Sequence, residues 1–153
     1  MAPFGHPQMC LPFLALCVLQ ITGASTADES DWTSPDRRYR VLVDVSPGNK
    51  PRSRCPVSVD IDFAAELSRM GDKGTFDENT LEVAAYDAAG QPRVFDESRA
   101  GYEKHLLPCR LDRYYGISKV TLVFVMPDQG WTRFAVYFDT AESGVGQPTR
   151  YPG

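Results

Sequence analysis

Asp60 and Asp62 are the residues of this chain whose type and spacing come nearest to chemistry. Two positions apart on an alternating stretch, they project from one face of a strand with Cβ atoms about 7 Å apart. That distance lies between the carboxyl separations of retaining and inverting glycosidases, so one reading is a small glycosidase or lyase that also uses an arginine. Carboxylate oxygens also suit calcium as a cofactor, with Asp77 or Glu78 as further ligands. The third reading, and the one expected, is a row of surface charge that keeps a sheet face soluble. The stretch lacks the dense Asp/Asn/Gly loop of an EF-hand.

The rest of the reactive inventory is thin. Beyond residue 27 the only histidine is His105, four residues before Cys109, and no Cys-x-x-Cys spacing accompanies either. His105 is expected as a loop histidine. The sequence has no phosphate-cradling glycine loop, serine elbow or dinucleotide fingerprint. No enzymatic activity is expected. Cys55 and Cys109, each beside a proline, are candidates for one disulfide, whose loop closure would be worth on the order of 4 kcal/mol; the alternative is two separate buried thiols. Trp131, next to the Pro127–Gly130 turn, and Tyr114 and Tyr115 are candidates for an aromatic platform on which a sugar ring stacks. Trp32 and Tyr137 are further aromatics for it, and packing within the fold is the competing use of all five.

The elements that must hold these residues are short strands. Tyr39, Val41, Val43 and Val45 alternate with Arg40, Leu42 and Asp44. Val57, Val59, Ile61 and Phe63 alternate with Ser58, Asp60 and Asp62, a pattern whose register a one-residue slip would ruin by burying carboxylates. Ala64–Met70 is the one helix-like stretch, stopped by Gly71. Thr80–Asp87 is a third strand, and Arg93–Phe95 its expected hairpin partner. Short strands are expected near Lys104–Leu107 and Arg110–Tyr115, a central one at Ile117–Met126, and a returning one at Thr132–Asp139. Seven or eight strands joined by hairpin-length turns predict an all-β, antiparallel two-sheet sandwich, Ig-like or jelly-roll-like, with one short helix. The expected core is Val41, Val43, Val57, Val59, Ile61, Leu81, Val83, Val123 and Val136.

Compartment is read from the first residues. None of the chain's 16 Lys and Arg or 20 Asp and Glu falls in residues 1–27, where an apolar run ends in Gly-Ala-Ser-Thr-Ala. That is a secretory leader cleaved after Ala27, although its first nine residues carry no Lys or Arg. The expected location is outside the cytoplasm: secreted, periplasmic or at the cell surface. Residues 28–36 read as a flexible lead-in, 37–141 as the domain, and 142–153 as a linker-like tail. The net charge of −4 speaks against nucleic acid. No later apolar stretch is long enough to cross a membrane as a helix.

Three segments, Pro56–Phe63, Gly74–Leu81 and Arg133–Thr140, together resemble the N-terminal β-sandwich modules that precede larger domains in secreted bacterial proteins, often ones acting on polysaccharides. The resemblance spans roughly residues 37–141 and rests on strand and turn patterns. It implies a non-catalytic accessory module, with a following catalytic domain or a polysaccharide as partner. Carbohydrate binding through the aromatic platform is the alternative, and the carboxylate-pair enzyme a second one.

Overall fold

The computed structural model describes residues 32–49, 51, 53–115 and 119–144. The expected leader, the first part of the lead-in, Ile117 and the end of the tail lie outside the described residues. The elements in order are β1 (Tyr39–Asp44), β2 (Ser53–Asp62), α1 (Phe63–Arg69), β3 (Phe76–Tyr86), β4 (Cys109–Tyr115), β5 (Lys119–Asp128) and β6 (Arg133–Thr140). They form two antiparallel three-stranded sheets, β1–β6–β3 and β2–β5–β4. This is the all-β, two-sheet sandwich with one short helix that the patterning predicts.

Six strands stand among the described residues rather than seven or eight. Arg93–Phe95 and Lys104–Leu107 do not form strands of their own. They cover the outer edge of β3 through single bridges, Tyr86 with Pro92 and Ala84 with Leu106, and a 3-10 turn at Gly101–His105 joins them. Arg93 N–H reaches the Ala85 carbonyl and Leu107 N–H the Val83 carbonyl, each at 2.8 Å. Pro92 has no N–H to extend a ladder, and no alternation runs through 96–107 to bury one face.

The core lies between the sheets. Val41 and Val43 from β1, Leu81, Val83 and Ala85 from β3, and Phe134, Val136 and Phe138 from β6 meet Val57, Val59 and Ile61 from β2 and Val120, Leu122, Phe124 and Met126 from β5. Phe124 on β5 and Phe134 on β6 bring their ring centroids to 4.8 Å across the sandwich. At the other end Phe63, the first residue of α1, stacks on Phe76 at 3.9 Å. One expected core residue is misplaced: Val123 points away from the other sheet and is half-exposed. From Val120 to Met126 nearly every side chain is apolar, so the sequence offers no phase. The face is decided by pairing with β2, where Val57 and Val59 sit opposite Phe124 and Leu122.

The helix begins and ends by named devices. Asp62 stays extended and accepts the Ala65 N–H at 3.0 Å, an N-cap on a free first-turn donor. At the other end Gly71 takes a left-handed φ of 83°. Its N–H returns to Ser68 O at 3.1 Å and that of Asp72 to Leu67 O at 2.9 Å, the paired bonds of a Schellman motif.

Residues 32–37, read up to Asp36 as flexible lead-in, form a strap docked on the outer face of β1–β6–β3. Thr33, Ser34 and Arg37 are all buried. Trp32 sets its ring edge on Tyr137 at 5.3 Å and closes the strap on itself through Nε1 to the Arg37 carbonyl, 2.9 Å. The acidic, Ser/Pro-containing composition suggested mobility, but Trp32 and Arg37 carry enough apolar and hydrogen-bonding surface to outweigh the ordering cost. The tail also starts fixed, since Glu142 accepts the Thr75 N–H at 2.8 Å.

Candidate functional site

The carboxylate pair is engaged in structure. Asp60 accepts the Thr121 hydroxyl at 2.5 Å, across the β2–β5 ladder, and Asp62 is the helix cap. Asp77 and Glu78 belong to β3 in the opposite sheet, and Asp77 accepts the Asn79 N–H at 2.9 Å. The structure therefore does not assemble the calcium set that the sequence suggested. Among the described residues no group of three or more His, Cys, Asp or Glu side chains converges to hold a metal.

Cys55 and Cys109 are free thiols. They sit opposite Met126 and Phe124 on the two strands that flank β5. Two strand spacings put them about 10 Å apart laterally, beyond the reach of a disulfide. The expected bridge is thus replaced by two separate, partly buried thiols at the rim of the core. Burial pushes the Cys109 thiol up to about 12, with the charge of Glu82 adding to the rise, which suppresses the thiolate a nucleophile needs. His105 donates Nδ1–H to the Arg93 carbonyl at 2.9 Å, an anchoring role.

The expected aromatic platform is not assembled as a bare surface. Trp131 packs against the core and carries the Arg93 guanidinium over its ring, 5.3 Å from the centroid. Tyr114 and Tyr115 close β4 in register with Val120 and Lys119. Trp32 is covered by Arg40 at 4.7 Å, and Tyr137 is fully buried beneath the strap.

Under that strap lies a polar network that the sequence reading missed. Arg37 Nη2 meets Glu82 Oε1 at 2.9 Å with both side chains buried, and Arg37 Nε donates to the Thr80 carbonyl at 2.6 Å. The Ser34 hydroxyl donates to Glu82. Burial raises the Glu82 pKa, against the pull of Ser34 and Arg37. Tyr86 and Tyr137 share a hydroxyl bond, and Thr33 joins both, through its hydroxyl to Tyr86 at 2.5 Å and its N–H to Tyr137 at 3.1 Å. Beside them Asp139 is buried, and burial works to raise its pKa. Two Arg38 N–H groups at 2.9 and 2.7 Å and the Thr140 N–H outweigh that and hold it low. Glu82, Ala84 and Tyr86 look like solvent positions by alternation; only a covering segment makes them interior.

The outer face of β2–β5–β4 has no such cover among the described residues. Pro56, Pro108, Val123 and Val125, together with Arg110, edge a shallow trough of about 560 Å³ floored by Cys109 and Phe124. Asp60 and Asp62 stand on the same face toward the α1 end. Among the described residues no helix is long and apolar enough to cross a membrane. No known protein family, curated protein or solved structure matches the chain.

Proposed function

We propose that the chain is a non-catalytic accessory module of an exported protein, and that it works by packing its open sheet face against a neighbouring domain of the same polypeptide. The observation that carries this is the trough between Pro56, Pro108, Val123 and Val125. Apolar side chains grouped on an otherwise polar face mark a contact surface. The occupant is a folded domain because the face is broad, shallow and flanked by charge, as interfaces between domains of one chain are. Asp60, Asp62 and His105 support the non-catalytic reading through the structural bonds they already make. The apolar leader followed by a small-residue cleavage pattern supports export.

The test starts with the gene. Reading the coding sequence past Gly153 should reveal an adjoining region for a larger exported domain. In the two-domain protein, Val123→Lys with Val125→Lys should separate one coupled unfolding transition into two. An isolated gene with a clean stop, or two domains that unfold independently before any substitution, would defeat the proposal.

A further inference from the structure

We infer that β1 is a pairing edge through which two copies of this chain join their sheets about a two-fold axis. The starting observation is how differently the four outer strands are guarded. An open strand edge is a template for pairing, and native proteins blunt the edges they do not use. β3 is covered by Pro92 and Leu106. β2 carries Pro56, which has no N–H to offer a neighbour. β4 slips register against β5 between Leu111 and Arg113, a bulge that bends the edge away. β1 has none of these devices. It runs from Tyr39 to Asp44 without a proline or a register shift, and among the described residues β6 is its one sheet neighbour.

The phase of the ladder tells which groups β1 has on offer. Val45 N–H bonds the Thr132 carbonyl at 2.7 Å, in the same register that pairs β1 with β6. The odd-numbered residues of β1 therefore turn their backbone groups toward β6, and Arg40, Leu42 and Asp44 turn theirs to the open side. Among the described residues no backbone bond reaches Leu42 or Asp44 from that side.

A second copy fits this edge because the strand is complementary to itself. Laid antiparallel about Leu42, β1 sets Leu42 against the second copy's Leu42 and Arg40 against its Asp44. These are all residues with open-side backbone groups, so each pair can exchange both N–H···O=C bonds. Opposite charges then meet at both ends of the outer face, whereas a like charge placed opposite either one would repel. Asp44 can serve the joint because Arg133 engages one of its two carboxylate oxygens, at 3.2 Å. On the inner face Val41 meets the second copy's Val43, and Tyr39 meets its Val45, which carries the apolar core across the joint. Such a contact is isologous and closes at two copies. The joined sheet would end on β3 at either side, the edge that is already covered. None of the residues that line the open trough takes part, so the pairing and the docking role can fail separately.

The experiment is sedimentation equilibrium of the full chain in reducing buffer, from micromolar to near-millimolar concentration, with amide hydrogen exchange read at both ends of that range. The chain should pass from monomer to dimer. Exchange at the Leu42 and Asp44 amides should slow severalfold in the dimer, while that at Val41 and Val43, already bonded to β6, should not change. Asp44→Arg sets cations against each other at both ends of the joint, Arg40→Asp sets carboxylates so, and each should weaken the dimer about tenfold. Mixed in equal amounts, the two variants oppose cation to carboxylate again, and a dimer of parental affinity should return. Should Arg40→Asp unseat Trp32 and fail to fold, the exchange pattern and Asp44→Arg decide alone. A monomer throughout, a dimer whose protection falls on β2, β4 or the trough, a folded Asp44→Arg that pairs as tightly as the parent, or two folded variants that stay apart when mixed would overturn the inference.

Discussion

The two outer faces of the sandwich obey the same alternation and meet opposite fates. On β1–β6–β3 the outward positions include Glu82, Tyr86, Tyr137 and Asp139, yet all four are buried. On β2–β5–β4 they include Asp60, Asp62, Val123 and Val125, and these stay open or half-open. The difference is six residues of strap. Sealing one face turned every polar group there into a debt to be matched: Glu82 by Arg37 and Ser34, Asp139 by Arg38, the two tyrosines by Thr33. The open face needs no such matching, because water reaches its carboxylates, and Val123 and Val125 stand half-exposed beside them. Alternation tells which residues share a face; a third layer decides whether that face is wet.

The comparison breaks most visibly at Arg37. Replacing it with Leu leaves the Glu82 carboxylate buried without its cation and should lower unfolding free energy by about 3–5 kcal/mol in urea titrations. Adding Glu82→Leu should recover most of that loss, because both charges are then gone. A single-variant loss as small as a surface change would mean that the strap is not seated. On the other sheet the largest expected effect is modest. Asp62→Ala removes the helix cap and should cost about 1 kcal/mol.

A subtler contrast lies in pH. The sealed Glu82 has a pKa raised above its ordinary 4.5, so the folded chain holds that proton where the unfolded chain has released it. Its contribution to stability therefore grows as pH falls through the raised value toward 4.5. Asp139, held below its ordinary 3.8, acts the other way: its stabilisation is complete above that value and fades as pH falls further. Urea midpoints followed from pH 8 to 3 should show the first effect vanish in Glu82→Gln and the second persist. The smallest change is expected on the open face, where Val123→Lys in the isolated domain should stay within about 0.5 kcal/mol of the parent. A large loss there would show that Val123 belongs to the core after all.

How much was legible follows from where the pattern was clean. Val57 to Phe63 alternates apolar and polar without exception, and its four apolar members are buried. The stop at Gly71 was readable because a left-handed C-terminal residue favours glycine. Val123 was misassigned because an unbroken apolar run carries no phase. The disulfide was open to sequence only as a pair of residues, since strand order separates Cys55 from Cys109. The strap was unreadable for a different reason: its hold depends on Glu82, Tyr86 and Tyr137, residues about 45 to 105 positions away in the chain.

The strap has a consequence for the order in which the molecule assembles. It leaves the ribosome before any strand, but its seat is built from β3 and from β6, the last strand of the chain. The bonds that hold it have a side chain at one or both ends, so it cannot be laid down early as part of a growing ladder. The earliest described segment of the chain must therefore settle after the strands that seat it. Until β6 is in place, the burial sites of Arg37 and Trp32 are incomplete, and a chain interrupted before β6 would leave residues 32–37 without their seat.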